Sequence, residues 1–433
     1  MIPPAPDPAA APDAPSGPAV AARVEAVWRL ESARIVAGLA RLVRDVGLAE
    51  ELAQDAVLAA LEEWPVTGVP ANPGGWLMLT AKHRAIDRLR RDDRLAVRVR
   101  ELGLDVLRRE PGEGVADFDA VLDQGVKDDL LRLIFTACHP ALTPPSQVAL
   151  SLRLLGGLST EEIARAFLVP EATVAQRIVR AKRTLADEGV PFEIPPVEEQ
   201  AQRLQTVLGV VYLIFNEGYT ATQGEGWTRP ELCHEALRLA RMLAAWAPEQ
   251  AEVHGLAALL EIQSSRLAAR LGPLGEPVPL LEQNRGRWDQ LLIRRGFTAL
   301  LRARQAGAPG PYVLQAAIAA CHARAGRAED TDWPAITALY DQLVRLTPTP
   351  VVQLNRAVAV GMTRGPAEAL ALVDAIRGLD GYHPLPSVRA DLLLRLGRAE
   401  EAEAELRRAA ALTRNTRERT TLLTRATAIR TGT

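Results

Sequence analysis

The sequence predicts an all-α protein built in three parts, and three observations carry that expectation. Hydrophobic residues make up 48% of the 433 residues but aromatics only 4%, with alanine, leucine and arginine dominant. Such a composition fills cores yet favours helices over a β-sandwich or barrel. Apolar residues recur at helical spacing in segment after segment. The chain is also too long for one small domain.

The first 18 residues, MIPPAPDPAAAPDAPSGP, are Pro/Ala-rich. They are expected to be disordered, and they lack the basic start and apolar core of a secretory signal. A first helix is expected from about Ala22 to Val46, with Trp28, Ile35, Leu39 and Leu42 on one face and a break at Gly47. A second runs from about Leu48 to Trp64. Leu52, Ala56 and Ala59 are apolar, while Glu51, Asp55 and Glu62 share an acidic face, a pattern that a merely solvated helix side would also show. Pro65 to Gly75, with three prolines and three glycines, reads as a loop. The third helix, WLMLTAKHRAIDRLRR, points Trp76, Leu79, Ile86 and Leu89 inward and carries Arg84, Arg88 and Arg91 at i, i+4, i+7. From Lys82 to Arg100 cations outnumber anions, a local basic patch in a chain of net charge −2. These elements define a first domain over residues 19–100.

Residues 101–127 are acidic with interspersed Gly and Pro, the composition of a flexible linker. A four-helix unit follows in a second domain, residues 128–190, and contains the most informative stretch, LSTEEIARAFLVPEATVAQRIVRAKRTL. Ser159 stands three residues before Glu162, a capping box that opens a helix. Pro170 suits the first turn of the next. On that second helix Val174, Ile178, Ala181 and Leu185 repeat at core spacing. Thr173, Gln176, Arg177 and Arg180 lie opposite, with Lys182 and Arg183 close by. Gln and Arg are the side chains that pair bidentately with base edges, and the other cations suit phosphates, so the pair reads as a DNA-binding helix-turn-helix. The plain alternative is a solvated basic helix in a bundle.

Taken together, a helix pair with an acidic second member, a Pro/Gly loop, W-L-x-x-x-A-x-x-R-A-I-D-R-L-R-R, an acidic linker and a helix-turn-helix ending Q-R-I-V-R-A-K-R resemble an extracytoplasmic-function (ECF) RNA polymerase sigma factor over about residues 22–190. The resemblance implies sigma region two followed by sigma region four, with core RNA polymerase and promoter DNA as partners. Glu51, Asp55 and Glu62 would then face the polymerase clamp. The loop before Trp76 would hold a flipped base of the −10 element, with Asn72 placed to hydrogen-bond it. Lys82, His83, Arg84, Arg88 and Arg91 would line the −10 strand; family members commonly carry Asn where this chain has His83. Trp76 fits core better than a stacking platform. Thr173, Gln176, Arg177, Arg180, Lys182 and Arg183 would read the −35 element in the major groove, and the linker would thread the RNA exit path.

Residues 191–433 are helical and alanine-rich. Gly326, Gly361 and Gly397 recur 35 and 36 residues apart, close to the ~34-residue tetratricopeptide period, with glycine expected between paired helices. Trp333, Ile336, Tyr340 and Leu343 fill one helix face; Leu354, Ala357 and Val358 fill another. The segment VYLIFNEGYTA, with LNRAVAV at Leu354 to Val360, resembles the regulatory C-terminal extension of one ECF subgroup. Asn216, Glu217 and Tyr219 are candidates for a regulatory site, whether for a ligand or for an intramolecular or protein partner. A polar turn at Asn216–Gly218 is the simpler reading.

Three cysteines make no disulfide framework, and each merely precedes a histidine (Cys138–His139, Cys233–His234, Cys321–His322), a poor chelate. No metal, no cofactor and no catalytic chemistry are expected. No apolar run is long enough to span a bilayer, so a cytoplasmic protein is expected. Two competing functions remain: a polymerase-independent helix-turn-helix regulator with a helical-repeat sensor, and an enzyme in the C-terminal part using Glu217, His234 and His254.

Overall fold

The computed structural model describes residues 17–91, 128–167, 169–220, 223–224, 228–273 and 275–431. The acidic linker at 101–127 and most of the N-terminal tail lie outside the described residues. Eighteen α-helices dominate the described residues, whose strands are two residues each, as the composition predicts. The chain divides into two compact units, residues 1–165 with 169–207, and residues 208–433 with 166–168.

In the first unit, α1 (Gly17–Val43), α2 (Val46–Thr67) and α3 (Pro73–Arg91) form a bundle. The break between α1 and α2 comes earlier than Gly47. Arg44 takes a left-handed backbone (φ 56°), and Asp45 Oδ1 accepts from Leu48 N at 2.8 Å, capping α2. The helix also runs past Trp64, tolerating Pro65 in its last turn and ending at Gly68 (φ 82°). Asn72 Oδ1 accepts from Gly75 N at 2.9 Å and Pro73 opens α3, so the expected 65–75 loop shrinks to residues 68–72.

Ile35 and Leu39 are buried as expected, beside Ala53, Ala56, Ala60 and Trp64. The phase of α3 differs from expectation. Leu77, Met78, Ala81, Ala85 and Leu89 are buried, while Leu79 is 37% exposed. Ala81 and Ala85 form a small-residue stripe that lets the neighbouring helices approach closely, and this stripe rather than the Trp-led one sets the buried face.

Four helices follow: α4 (128–137), α5 (Pro144–Leu154), α6 (Thr160–Phe167) and α7 (Glu171–Asp187). The capping box at α6 forms as read. Ser159 N donates to Glu162 Oε2 at 2.8 Å, and Glu162 N donates to Ser159 Oγ at 3.1 Å. The long helix α8 (Val197–Tyr219) carries the chain into the second unit.

That unit contains α9 (Pro230–Trp246), α10 (Ala251–Ser264), α11 (Gln290–Ala306), α12 (Pro311–Arg324), α13 (Trp333–Leu346), α14 (Pro350–Thr363), α15 (Pro366–Ala375), α16 (Pro384–Arg395), α17 (Ala399–Leu412) and α18 (Thr416–Thr431). Each helix packs on its sequence neighbours, as in a helical-repeat stack. Leu314, Ile318, Ile336 and Leu343 form one core cluster; Leu354, Ala357, Leu370, Leu393 and Leu406 belong to another. A short parallel pairing joins Gln223–Gly224 to Arg414–Asn415.

The three periodic glycines are not equivalent. Gly326 lies in the turn after α12, and Gly397 (φ 76°) follows α16, but Gly361 is inside α14. A side chain there would crowd Ala369 and Leu392, each 3.1 Å from a Cβ. Gly361 therefore serves close helix packing and not a turn. Among the described residues, no helix is long and apolar enough to cross a membrane.

Candidate nucleic-acid interface

The second helix of the helix-turn-helix, α7, is two-faced in the way its sequence dictates. Val174, Ile178, Ala181 and Leu185 are buried, each 6% exposed or less. Gln176, Arg180 and Arg183 are exposed, while Thr173, Arg177 and Lys182 are half-buried. Arg183 Nε lies 3.3 Å from Asp187, one turn along the same surface. Val179, which the sequence reading did not single out, is 64% exposed between Gln176 and Arg183. An exposed valine on a base-reading helix suits the methyl group of a thymine. Its signal in the sequence is a lone apolar residue out of phase with the core stripe.

Lys182 does not project like its neighbours. Its ammonium lies 2.5 Å from Glu50 Oε2, in ion-pair contact off the hydrogen-bonding direction. Arg153 Nε donates to the other oxygen of Glu50 at 2.5 Å. Glu50 is 5% exposed, so one buried carboxylate of the N-terminal bundle gathers two cations of the helix-turn-helix unit. Two further contacts join the N-terminal bundle, through α1, to the helices that follow it. Arg29 on α1 pairs with Glu162. Burial pushes the Glu162 carboxyl up, but the Ser159 cap and the Arg29 charge outweigh it and hold it below the usual carboxylate range. Gly157, at φ 65°, lies against Ser32 of α1.

The candidate −10 residues are spread along the loop and α3. The Asn72 oxygen is used as the α3 cap. His83 and Arg88 are exposed. Arg84 Nη1 stands 3.9 Å from Asp55, so one predicted strand contact and one predicted polymerase contact adjoin. Burial pushes the Lys82 ammonium down, with Arg41 and Arg34 adding to the shift and Asp129 opposing it. The Arg91 side chain lies outside the described residues. Trp76 meets the buried Trp64 edge-on, ring centres 5.5 Å apart, so it packs as expected of a core-side residue.

On α2, Glu51, Asp55 and Glu62 are all exposed on one face. Leu58, 56% exposed, lies among them. Acidic charge around an exposed leucine is a surface suited to a basic, partly apolar partner. Leu58 stands at i+7 from Glu51, a position the charge pattern alone does not reveal.

The candidate regulatory residues part company. Asn216, Glu217 and Tyr219 form the last turn of α8 and not a polar loop. Asn216 and Tyr219 line a cavity in the second unit, whereas Glu217 pairs with Arg229. The enzyme reading finds no shared site. His254 Nε2 bonds the Pro248 carbonyl at 2.8 Å and is buried, while His234 is exposed on α9. Burial pushes the Cys138 thiol up to about 11 and the Cys233 thiol up to about 12, so neither is an activated nucleophile.

Residues 29–95 match the Sigma-70 region 2 family and residues 132–185 match Sigma-70, region 4. The chain is 25% identical to the probable ECF RNA polymerase sigma factor SigI of Mycobacterium tuberculosis over 41% of this chain and 59% of that protein. It is 28% identical to the ECF RNA polymerase sigma factor SigK of Mycobacterium ulcerans over 35% of this chain and 78% of the relative. The chain is an ECF-type sigma factor with a C-terminal extension.

Region two of this sigma factor thus contains α2, the 68–72 loop and α3, and region four contains α7 as far as Leu185. Residues 203–304 match a family of unknown function (DUF6596). The sigma factor is also 44% identical to an uncharacterised protein of Rhizobium meliloti over 88% of this chain and 89% of that one. The extension is therefore shared with that relative and is not peculiar to this chain.

Proposed function

We propose that this sigma factor binds core RNA polymerase through the acidic face of α2, engages the −10 element through residues 68–72 and α3, and reads the −35 element through α7. It acts in the cytoplasm as a promoter-specificity subunit without chemistry of its own, and its extension regulates that activity. The observation that carries the reading is the division of α7. Four apolar side chains anchor the helix while Gln176, Val179, Arg180 and Arg183 face outward, in a chain that matches both sigma regions in order.

Run-off transcription with matched core polymerase on the protein's own upstream DNA tests it. Arg177→Ala combined with Arg180→Ala is expected to weaken transcripts from a defined start. Operator binding that persists without any polymerase binding would move the reading to the polymerase-independent regulator. A chain ending at Val190 is expected to lose activity, since the extension makes up the larger part of the protein; undiminished transcription from it would separate the extension from function.

A further inference from the structure

Within the second unit, a cavity of about 240 Å³ opens between α8, α10, α12, α13 and α14. It is smaller than the ~300–1,000 Å³ of sites for drug-sized ligands, and it is lined in the mixed way such sites are. Phe215 and Tyr340 supply apolar wall; Tyr219, Gln263, Arg266 and His322 supply polar groups.

The charge in this cavity is uncompensated. Arg266 is 7% exposed. Its Nη2 donates to the Tyr219 hydroxyl at 2.6 Å, and its guanidinium faces the rings of Tyr219 and Trp288 at 5.8 and 5.7 Å. Its Nε has no hydrogen-bond partner. Among the described residues, no carboxylate pairs with Arg266, and the charges of Arg270 and Arg285, of its own sign, act on it. His322, 8% exposed, has an unpartnered Nδ1, and Gln263 Oε1 is likewise unpartnered.

A buried cation without a counter-charge is costly, and each orphaned polar atom adds to that cost. A cluster of such groups around one cavity is the arrangement of a site whose ligand completes it. A guanidinium pairs best with a planar oxyanion. One fully buried cation matches one negative charge, and the aromatic walls match an apolar body. We propose that the extension binds a small organic acid, its carboxylate held by Arg266 and His322 and its body seated against Phe215 and Tyr340. This names a ligand class for the regulatory role of the extension. The site itself stands on its geometry alone and does not require the promoter reading.

Thermal unfolding of the full chain tests it, with acetate, benzoate and phenylacetate as probes and phenylacetamide and inorganic phosphate as controls. Phenylacetate is expected to raise the unfolding temperature and to bind at least about tenfold more tightly than phenylacetamide. Arg266→Met is expected to unfold at a higher temperature than the wild type without ligand, and to lose the response to acids. If Arg266→Met does not fold, Arg266→Lys keeps the charge without the fork and is expected to weaken the response. Acids that fail to distinguish wild type from these variants would overturn the site. A response to phosphate alone, or an equal response to the amide, would overturn the carboxylate assignment. Binding is read without polymerase, so failure here and failure of the sigma reading are distinguishable.

Discussion

The carboxylate of Glu50 on α2 holds the ammonium of Lys182 on α7 at 2.5 Å. A buried residue of sigma region two thus occupies a cation of the helix proposed to read the −35 element. By their names, the −10 and −35 elements lie about 25 base pairs apart, about 85 Å of B-form DNA at ~3.4 Å per step. A protein that touches both elements cannot also keep α2 and α7 in contact. On the proposed promoter reading, engaging both elements would therefore part Glu50 from Lys182.

Glu50→Gln is expected to loosen that clasp. It leaves Arg153 and Lys182 facing each other without a counter-charge, so unfolding in urea should show a loss on the order of 3 kcal/mol. Release of Lys182 should also steepen the salt dependence of binding to a −35 duplex by about one unit of slope. Fluorescence anisotropy across a salt series measures it, and an unchanged slope would mean that Lys182 contributes nothing to DNA binding even when released.

Gly157→Ala probes the same junction through shape. The residue sits at φ 65°, and a Cβ there would stand 2.5 Å from Ser32 Oγ. The backbone strain alone costs about 1–2 kcal/mol, and the clash adds to it. Ser32→Ala alone should be neutral or stabilising, because that buried hydroxyl has no partner. In the double variant the clash with the hydroxyl should be relieved, while the strain and the tight 3.3 Å approach to the Cβ of residue 32 should remain. Thermal melts of the four proteins give the cycle, and strict additivity would refute the contact.

What the sequence made legible was local. The Ser159–Glu162 box and the two faces of α7 depend on residues three or four apart, and both formed as read. The Glu50 clasp did not announce itself, because its partners lie 103 and 132 residues away and Glu50 stands beside Glu51 without any local distinction. The phase of α3 is hard to see in the sequence for a related reason: its aromatic and leucine positions are conspicuous, whereas the buried stripe is set by Ala81 and Ala85, whose small size governs how closely helices pack. Gly361 shows the same limit. Its period suggested a turn, but α14 and its neighbours made it a packing residue. Arg266 is unremarkable among many arginines in the sequence; only the fold shows that, among the described residues, no carboxylate pairs with it.

The extension is expected to lose stability in mild acid through His322. Burial first, then Arg266 and Arg285, depress its imidazole to about 4, and its ring centre lies 5.2 Å from that of Trp333 in a T-shaped pair. The folded state therefore binds fewer protons than the unfolded state between the ordinary value near 6.5 and about 4. Stability is full above pH 6.5 and falls as pH drops through that window, by an amount approaching ~3 kcal/mol. His322→Asn should flatten that part of the profile relative to wild type. Urea unfolding across the window checks it, and superimposable profiles would refute it.

The outward face of α7 should separate into residues that choose sequence and residues that grip phosphate. Gln176 has an amide of the kind that pairs bidentately with adenine, and Val179 has exposed methyl groups about one turn further along the same face. Gln176→Ala is expected to reduce discrimination at one base pair of the −35 element by about 1–3 kcal/mol. Val179→Asn should relax preference at an adjacent thymine. Arg183→Ala should instead weaken every duplex alike and lower the salt slope by about one. None of these exposed positions should move stability by more than about 0.5 kcal/mol. Binding to a set of duplexes, each randomised at one −35 position, measures all three variants. A uniform loss from Gln176→Ala would remove it from base reading and leave α7 with a backbone-gripping role at that position.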